Sequence, residues 1–224
     1  MLGKNSGAAF TFQVHVDDVH ASYHLSTQLI EQLQSISMYQ DIVIVCIGTD
    51  RSTGDSLGPL IGSSLEKKML KRMFIYGTLK DPVHAVNLEE TLQEIHVRHP
   101  NSFILAIDAC LGRLKNVGNI NFSKGPVIPG AAMKKKLPYV GDMHITGIVN
   151  VSGMMEYFVL QNTRLHLVIA MAESIARALA TADRKLKTPT VPPVSPPNSS
   201  PRTIYNTGTC KTESALSLQK NSPQ

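Results

Sequence analysis

Two aspartates stand at or just beyond apolar runs: Asp55 in CIGTDRSTGDSLGP, residues 46–59, and Asp108 in SFILAIDAC, residues 102–110. Carboxylates that share a low-dielectric crevice cannot both ionise easily, so one of them keeps a proton near neutral pH. Such a pair can activate water and protonate a leaving group, or it can hold a metal ion. Each aspartate also has an ordinary explanation. Asp55 precedes SLGPL, where a carboxylate can cap a helix N-terminus and Pro59 suits an early turn. Asp108 ends a run too apolar to leave a charge without solvent or a partner.

The glycines around Asp55 invite a comparison with phosphate-binding loops, and the comparison fails. A Walker loop requires G-x-x-x-x-G-K-[ST]. Gly48 and Gly54 are one residue too far apart for it, and Asp55 takes the place of the lysine. Gly48, Gly54, Gly58 and Gly62 do not have the spacing of a dinucleotide fingerprint either. A carboxylate at the helix start would repel a phosphate.

The elements that must position these residues alternate along the chain. SYHLSTQLIEQLQSI places Leu25, Leu29, Ile30, Leu33 and Ile36 on one helical face. DIVIVCIG is a short apolar run suited to a strand buried on both faces. DSLGPLIGSSLEKKMLKRM returns to helical spacing through Leu57, Leu60, Ile61, Leu65 and Met69, and FIYGTL follows as a strand. VNLEETLQEIHVRH predicts a helix with Asn87 as N-cap and Glu90 at the capping-box position. SFILAIDAC is a second buried strand, VGNINFS a strand at the sheet edge, and HITGIVNV a final strand. One or two helices between Gly153 and Ala180 close the unit. This order predicts a mostly parallel sheet with helices on both faces. If the two apolar strands are neighbours, both aspartates face one cleft at their C-terminal ends.

Composition narrows the class. The chain has 224 residues and no apolar run near the length that spans a bilayer, and its first 20 residues lack a secretory pattern, so a cytoplasmic protein is expected. Cys46, Cys110 and Cys210 have no metal-binding or disulfide spacing. The net charge of +5 sits almost wholly beyond residue 184, where there are five Lys or Arg and one Glu, so nucleic acid is not an expected partner. Six of the thirteen prolines fall in KTPTVPPVSPPNSSPRT. Residues 184–224 therefore read as a disordered tail, 1–15 as a flexible N-terminus, and 16–183 as the folded domain. Lys134 to Lys136 read as a solvated turn, His84 as a solvated loop residue, and the pair His96 and His99 as favourable charge at a helix end.

GTDRSTGDSLGPLIG, then LAIDAC, then GPVIPGAAMKKKLPYVGDMHITGIVNV, resemble the YyaC-type sporulation proteins. These are small relatives of the spore germination protease, within the fold of the hydrogenase maturation endopeptidases. The resemblance covers residues 20–180 and implies a three-layer α/β/α, phosphorylase/hydrolase-like fold. It implies an aspartic-type endopeptidase, with Asp55 (in GDSLGP) and Asp108 (in AIDAC) catalytic and no cofactor. Arg51, Gly54, Ser56 and His144 would shape the substrate site. The alternative is a maturation-type site in which Asp55, Asp108 and His144 grip a divalent transition metal, with Asp142 two residues away. A non-catalytic sporulation factor that keeps the fold is the third possibility. The implied partner is a protein or peptide substrate, such as a spore protein, in the cytoplasm of a spore-forming bacterium. The chain lacks the substrate-facing insertions and longer body of the germination protease.

Overall fold

Ile42–Cys46, strand β2, has every residue buried, and its side chains alternate between two separate clusters. Ile42, Ile44 and Cys46 enter one cluster, while Val43 and Val45 enter the other together with the following Ile47. That period of two is the signature of a strand with cover on both faces. The computed structural model describes residues 10–129, 137–153 and 155–188.

The other strands are β1 (Thr11–His15), β3 (Met73–Tyr76), β4 (Phe103–Gly112), β5 (Asn119–Lys124) and β6 (Met143–Val151). They form one six-stranded sheet in the order β1-β5-β6-β4-β2-β3. The pairs β3–β2, β2–β4 and β4–β6 are parallel, whereas β6–β5 and β5–β1 are antiparallel. Helices α1 (Ala21–Leu33), α2 (Leu57–Glu66) and α5 (Leu165–Lys185) pack their apolar residues on one face. Helix α3 (Leu88–Arg98) covers the other through Leu88 and Ile95, and the short α4 (Glu156–Gln161) precedes α5. The predicted three-layer α/β arrangement is what the structure shows.

Connectivity decides where a ligand can sit. From β2 the chain passes through α2 on one face to β3, then through α3 on the opposite face to β4, on the other side of β2. The helices that follow β2 and β3 thus leave on opposite faces, which opens a crevice beyond the C-terminal ends of β2 and β4.

Several expectations need correction. Strand β5 is interior, and the edge belongs to β1, which lies inside the segment read as a flexible N-terminus. TFQVH is too short, with only Val14 buried, for its pattern to stand out from a loop. Helix α2 stops at Glu66, so Met69 is 98% exposed rather than part of the apolar stripe. Asn87 does sit at the N-cap of α3, but its side chain bonds backward, to the His84 N–H and the Pro82 carbonyl. His99 is buried and bonds Asp41 and Tyr76, at 2.9 and 3.2 Å, so a helix-end charge does not explain it. By length and composition α5 could cross a membrane, which the reading of apolar runs did not anticipate; it packs against the sheet through Val168, Met171 and Ile175. It also carries the domain two residues past the expected boundary at 183, and Leu186 is buried. Residues 189–224 of the expected tail, Cys210 among them, and Lys134 to Lys136 lie outside the described residues.

Helix α2 comes unusually close to β2. A Cβ on Gly58 would lie 2.2 Å from the Ile47 carbonyl oxygen, a contact that backbone cannot relieve without moving the helix. Gly58→Ala is expected to destabilise the domain by about 1–3 kcal/mol, the usual cost of overpacking. Thermal unfolding of the variant checks this, and an unchanged Tm would contradict the close approach.

Candidate functional site

The crevice holds a cavity of about 280 Å³ that brings together Asp55, Asp108 and Arg51. Asp108 reaches it from β4. It stands one position beyond Ile107, whose carbonyl accepts the Ile47 N–H at 2.7 Å. Its side chain is on the α3 side of the sheet, as the alternation from Leu105 requires. The residue is 5% exposed, and its Oδ1 accepts the Ala109 N–H at 2.9 Å.

Asp55 reaches the cavity from the loop after β2. Gly48 starts that loop at φ +142°, and a Cβ there would lie 2.0 Å from the Asp55 carbonyl oxygen, so the position requires glycine. The Thr49 N–H donates to the same carbonyl at 3.1 Å, folding the loop back on its own start. The expected helix cap is not formed. Asp55 lies inside a 3-10 turn, Gly54–Ser56, and neither this turn nor α2 has a side-chain cap. Burial pushes the Asp55 carboxyl above the ordinary aspartate range, while the Thr49 backbone N–H and any positive charge on His84 pull it partly back.

The remaining candidates divide. Arg51 lines the cavity and is exposed. Gly54 and Ser56 are buried outside the lining. Gly54 lies under Leu160 and Thr163, and the Ser56 hydroxyl donates to the Thr53 carbonyl at 2.7 Å. His144 does not join the carboxylates either. It pairs in register with Ala106, two positions before the Asp108–Thr146 pair, and its Nδ1 bonds the Gly125 carbonyl at 2.8 Å. Asp142 ties the start of β6 to β4 by accepting the Ile104 N–H. Among the described residues no three His, Cys, Asp or Glu side chains form a metal-binding group. The set Asp55, Asp108 and His144 therefore does not fit a shared metal ion, because the imidazole, on the neighbouring β6, sits two positions before the Asp108 level and is bonded to Gly125.

Two lining residues were not singled out for function. Ser52 is 8% exposed, and its hydroxyl has no hydrogen-bond partner among the described residues. His84, read from sequence as solvated, lines the same cavity. Its placement comes from a parallel bridge between Ile47 and Val83, in which the Gly48 N–H bonds the Val83 carbonyl at 2.8 Å. The stretch KDPVHAVN has no strand-length apolar run to signal the bridge. The walls are mostly apolar: Ile47, Val86, Pro129, Leu137, Tyr157 and Leu160. Cys110 lies outside this lining, and burial pushes its thiol up to about 11, so it is not a ready nucleophile.

The family described as "Protein of unknown function (DUF1256)" matches residues 13–178. The "Uncharacterized protein YyaC" of Bacillus subtilis (strain 168) is 55% identical over 167 residues, which are 75% of this chain and 81% of that protein. Among solved structures, the [NiFe] hydrogenase maturation protease HycI from Thermococcus kodakarensis KOD1 aligns with a TM-score of 0.48 at 15% identity. That alignment covers 70% of this chain and 99% of the other.

The raised Asp55 carboxyl has a consequence for stability. The native state holds this proton more tightly than the unfolded chain does. The linked stabilisation is complete below the unfolded pKa and is lost as pH rises through the raised native value. By neutral pH, above the unfolded value, that contribution has already fallen, whereas an amide has no titration to lose it by. Asp55→Asn is expected to stabilise the domain by about 0.5–2 kcal/mol at neutral pH, as for other functional residues held at a cost. The gain should vanish near pH 3. Calorimetric Tm values at both pH values check it, and a destabilised variant at neutral pH would contradict it.

Proposed function

The chain belongs to the DUF1256 family, and we propose that it is a peptidase in which Asp55 and Asp108 share one proton and direct water onto an amide bond. The observation that carries this reading is the pair itself: a carboxylate from the loop after β2 and one on β4, just past its last rung with β2, line one largely apolar cavity, and burial favours a proton on Asp55. GDSLGP and AIDAC, which resemble the P-D-A-L-G-P and I-D-A stretches of the germination protease, point the same way.

The chemistry divides between the two groups. Asp108, as carboxylate, accepts a proton from water while the water oxygen adds to the carbonyl carbon. Asp55, protonated, gives its proton to the nitrogen as the C–N bond breaks. One proton has been taken up and one given, so the pair again holds a single proton. The carbon framework is held by the cavity walls. Ile47, Val86, Leu137 and Leu160 suit an apolar side chain next to the scissile bond, and Arg51 suits a carboxylate or carbonyl beyond it. The substrate class is therefore an extended peptide segment with a bulky apolar residue. A spore protein, met in the cytoplasm of a spore-forming cell, is the natural source by family resemblance.

Quenched fluorescent peptides of mixed sequence, incubated with the full chain, test the activity. Asp55→Asn and Asp108→Asn are each expected to lower kcat by about 10²–10⁴-fold, the range of general acid–base contributions. Full activity in both variants would sink the reading. The alkaline limb of the rate profile should lie above the ordinary aspartate range. There the shared proton is lost, because the Asp55 carboxyl is raised and charges only at higher pH. A profile that stays flat through that limb would contradict a shared proton.

A further inference from the structure

When water adds to an amide, the carbonyl oxygen gains negative charge, and a donor aimed at it supplies much of the stabilisation. Neither carboxylate of the pair is free for that task if one takes the water proton and the other protonates the nitrogen. We propose that His84 is this donor, a third catalytic side chain that acts as a neutral imidazole through its Nε2–H. The proposal rests on the carboxylate-pair reading above.

Three observations place it. His84 lines the cavity that contains both aspartates, and it is near enough to Asp55 for a charge on the ring to be felt by that carboxyl. Its main chain is fixed from both sides. Val83 bridges to Ile47, the Asn87 Oδ1 accepts the His84 N–H at 2.8 Å, and the His84 carbonyl accepts the N–H groups of Asn87 and Leu88. A donor held on such a turn costs little reorganisation when charge develops.

The third observation fixes the ring's chemistry. The Val86 N–H donates to His84 Nδ1 at 3.3 Å. Nδ1 therefore presents its lone pair, and the neutral ring carries its proton on Nε2. In that state the ring can donate from Nε2 but cannot act there as a base. Protonating Nδ1 would break the Val86 bond. It would also draw the proton off Asp55, since positive charge on His84 favours the Asp55 carboxylate. A neutral His84 thus lets Asp55 keep the proton that the leaving nitrogen needs.

A purely structural role is distinguishable, because the bonds that hold the loop are main-chain bonds and Asn87 bonds, and only the Val86 contact uses the ring. The test uses the full chain with the mixed peptides, comparing His84→Ala and His84→Gln. His84→Ala is expected to lose about 10²–10³-fold in kcat with KM within about threefold, the behaviour of a lost oxyanion donor. His84→Gln, which offers an amide N–H, should recover part of that loss, and both variants should keep the wild-type Tm within about 2 °C, as expected where only an exposed contact is lost.

If His84→Ala keeps its kcat while Asp55→Asn and Asp108→Asn are inactive, the proposal for His84 fails and the carboxylate reading stands. A change in KM alone overturns the catalytic role as well. If the wild-type chain cleaves no peptide, or both Asn variants stay active, the carboxylate reading fails and takes this proposal with it. Long-range ¹H–¹⁵N spectra at pH 7 give a check without turnover: a neutral His84 ring with its proton on Nε2 supports the proposal, and one with its proton on Nδ1 overturns it.

Discussion

The Ile47 N–H donates to the Ile107 carbonyl at 2.7 Å, one residue past the end of β2 in its parallel ladder with β4. Beyond that bond the strands part company. The chain after Ile47 turns through Gly48 into the loop that carries Asp55, while β4 runs on through Asp108 to pair with β6. The helices after β2 and β3 leave on opposite faces, which leaves a crevice above this rung. Both carboxylates owe their meeting to that pairing. Its register matters as much as its existence, since a slip of one residue would turn the Asp108 side chain to the α2 and α5 side of the sheet.

The protein contains a second buried carboxylate arrangement, and the contrast is informative. Asp183 is fully buried near the start of β3 and accepts the backbone N–H groups of Lys71, Arg72 and Met73 at 2.7–3.1 Å. The neighbouring Arg72 donates to the carbonyls of Ser37, Gln40 and Lys187. That carboxylate is saturated with donors, and a structural role accounts for it. Asp55 is treated differently: its burial is offset only in part, by one backbone N–H and an imidazole. A carboxyl left short of donors holds its proton, and a held proton is what acid catalysis uses.

Most of the architecture was legible because it rests on periodicity. IVIVC and FILAI announce strands buried on both faces, and the spacing of Leu25, Leu29 and Leu33 announces α1. The sheet's antiparallel half was less legible, since TFQVH and NINFS carry polar residues on alternate positions and β1 has a single buried side chain. At the site, Asp55 and Asp108 could be found by their place after apolar runs. His84 could not, because its position depends on a bridge between Val83 and Ile47 that spans 36 residues of chain and leaves no local pattern. His144 failed for the complementary reason. Its neighbourhood in the sequence suggested a ligand, but the β4–β6 register sets it two positions away from Asp108.

Gly54 and Ser56, expected to touch substrate, turn out to hold the wall of the cavity. A Cβ on Gly54 would lie 2.8 Å from the Leu160 side chain, so glycine here lets α4 settle over the Asp55 turn. No side chain of α4 is fully buried, and its Tyr157 and Phe158 are 55% and 53% exposed, so this short helix serves mainly to roof the site. Leu160 and Tyr157 then form part of the apolar lining beside Asp55. The surface that would receive an apolar substrate side chain is therefore the surface that keeps water from the carboxyl. In the proposed peptidase, selectivity and proton affinity would thereby be coupled through one wall. A substrate that filled the wall would complete the desolvation and strengthen the Asp55 hold on its proton until the nitrogen was ready to take it.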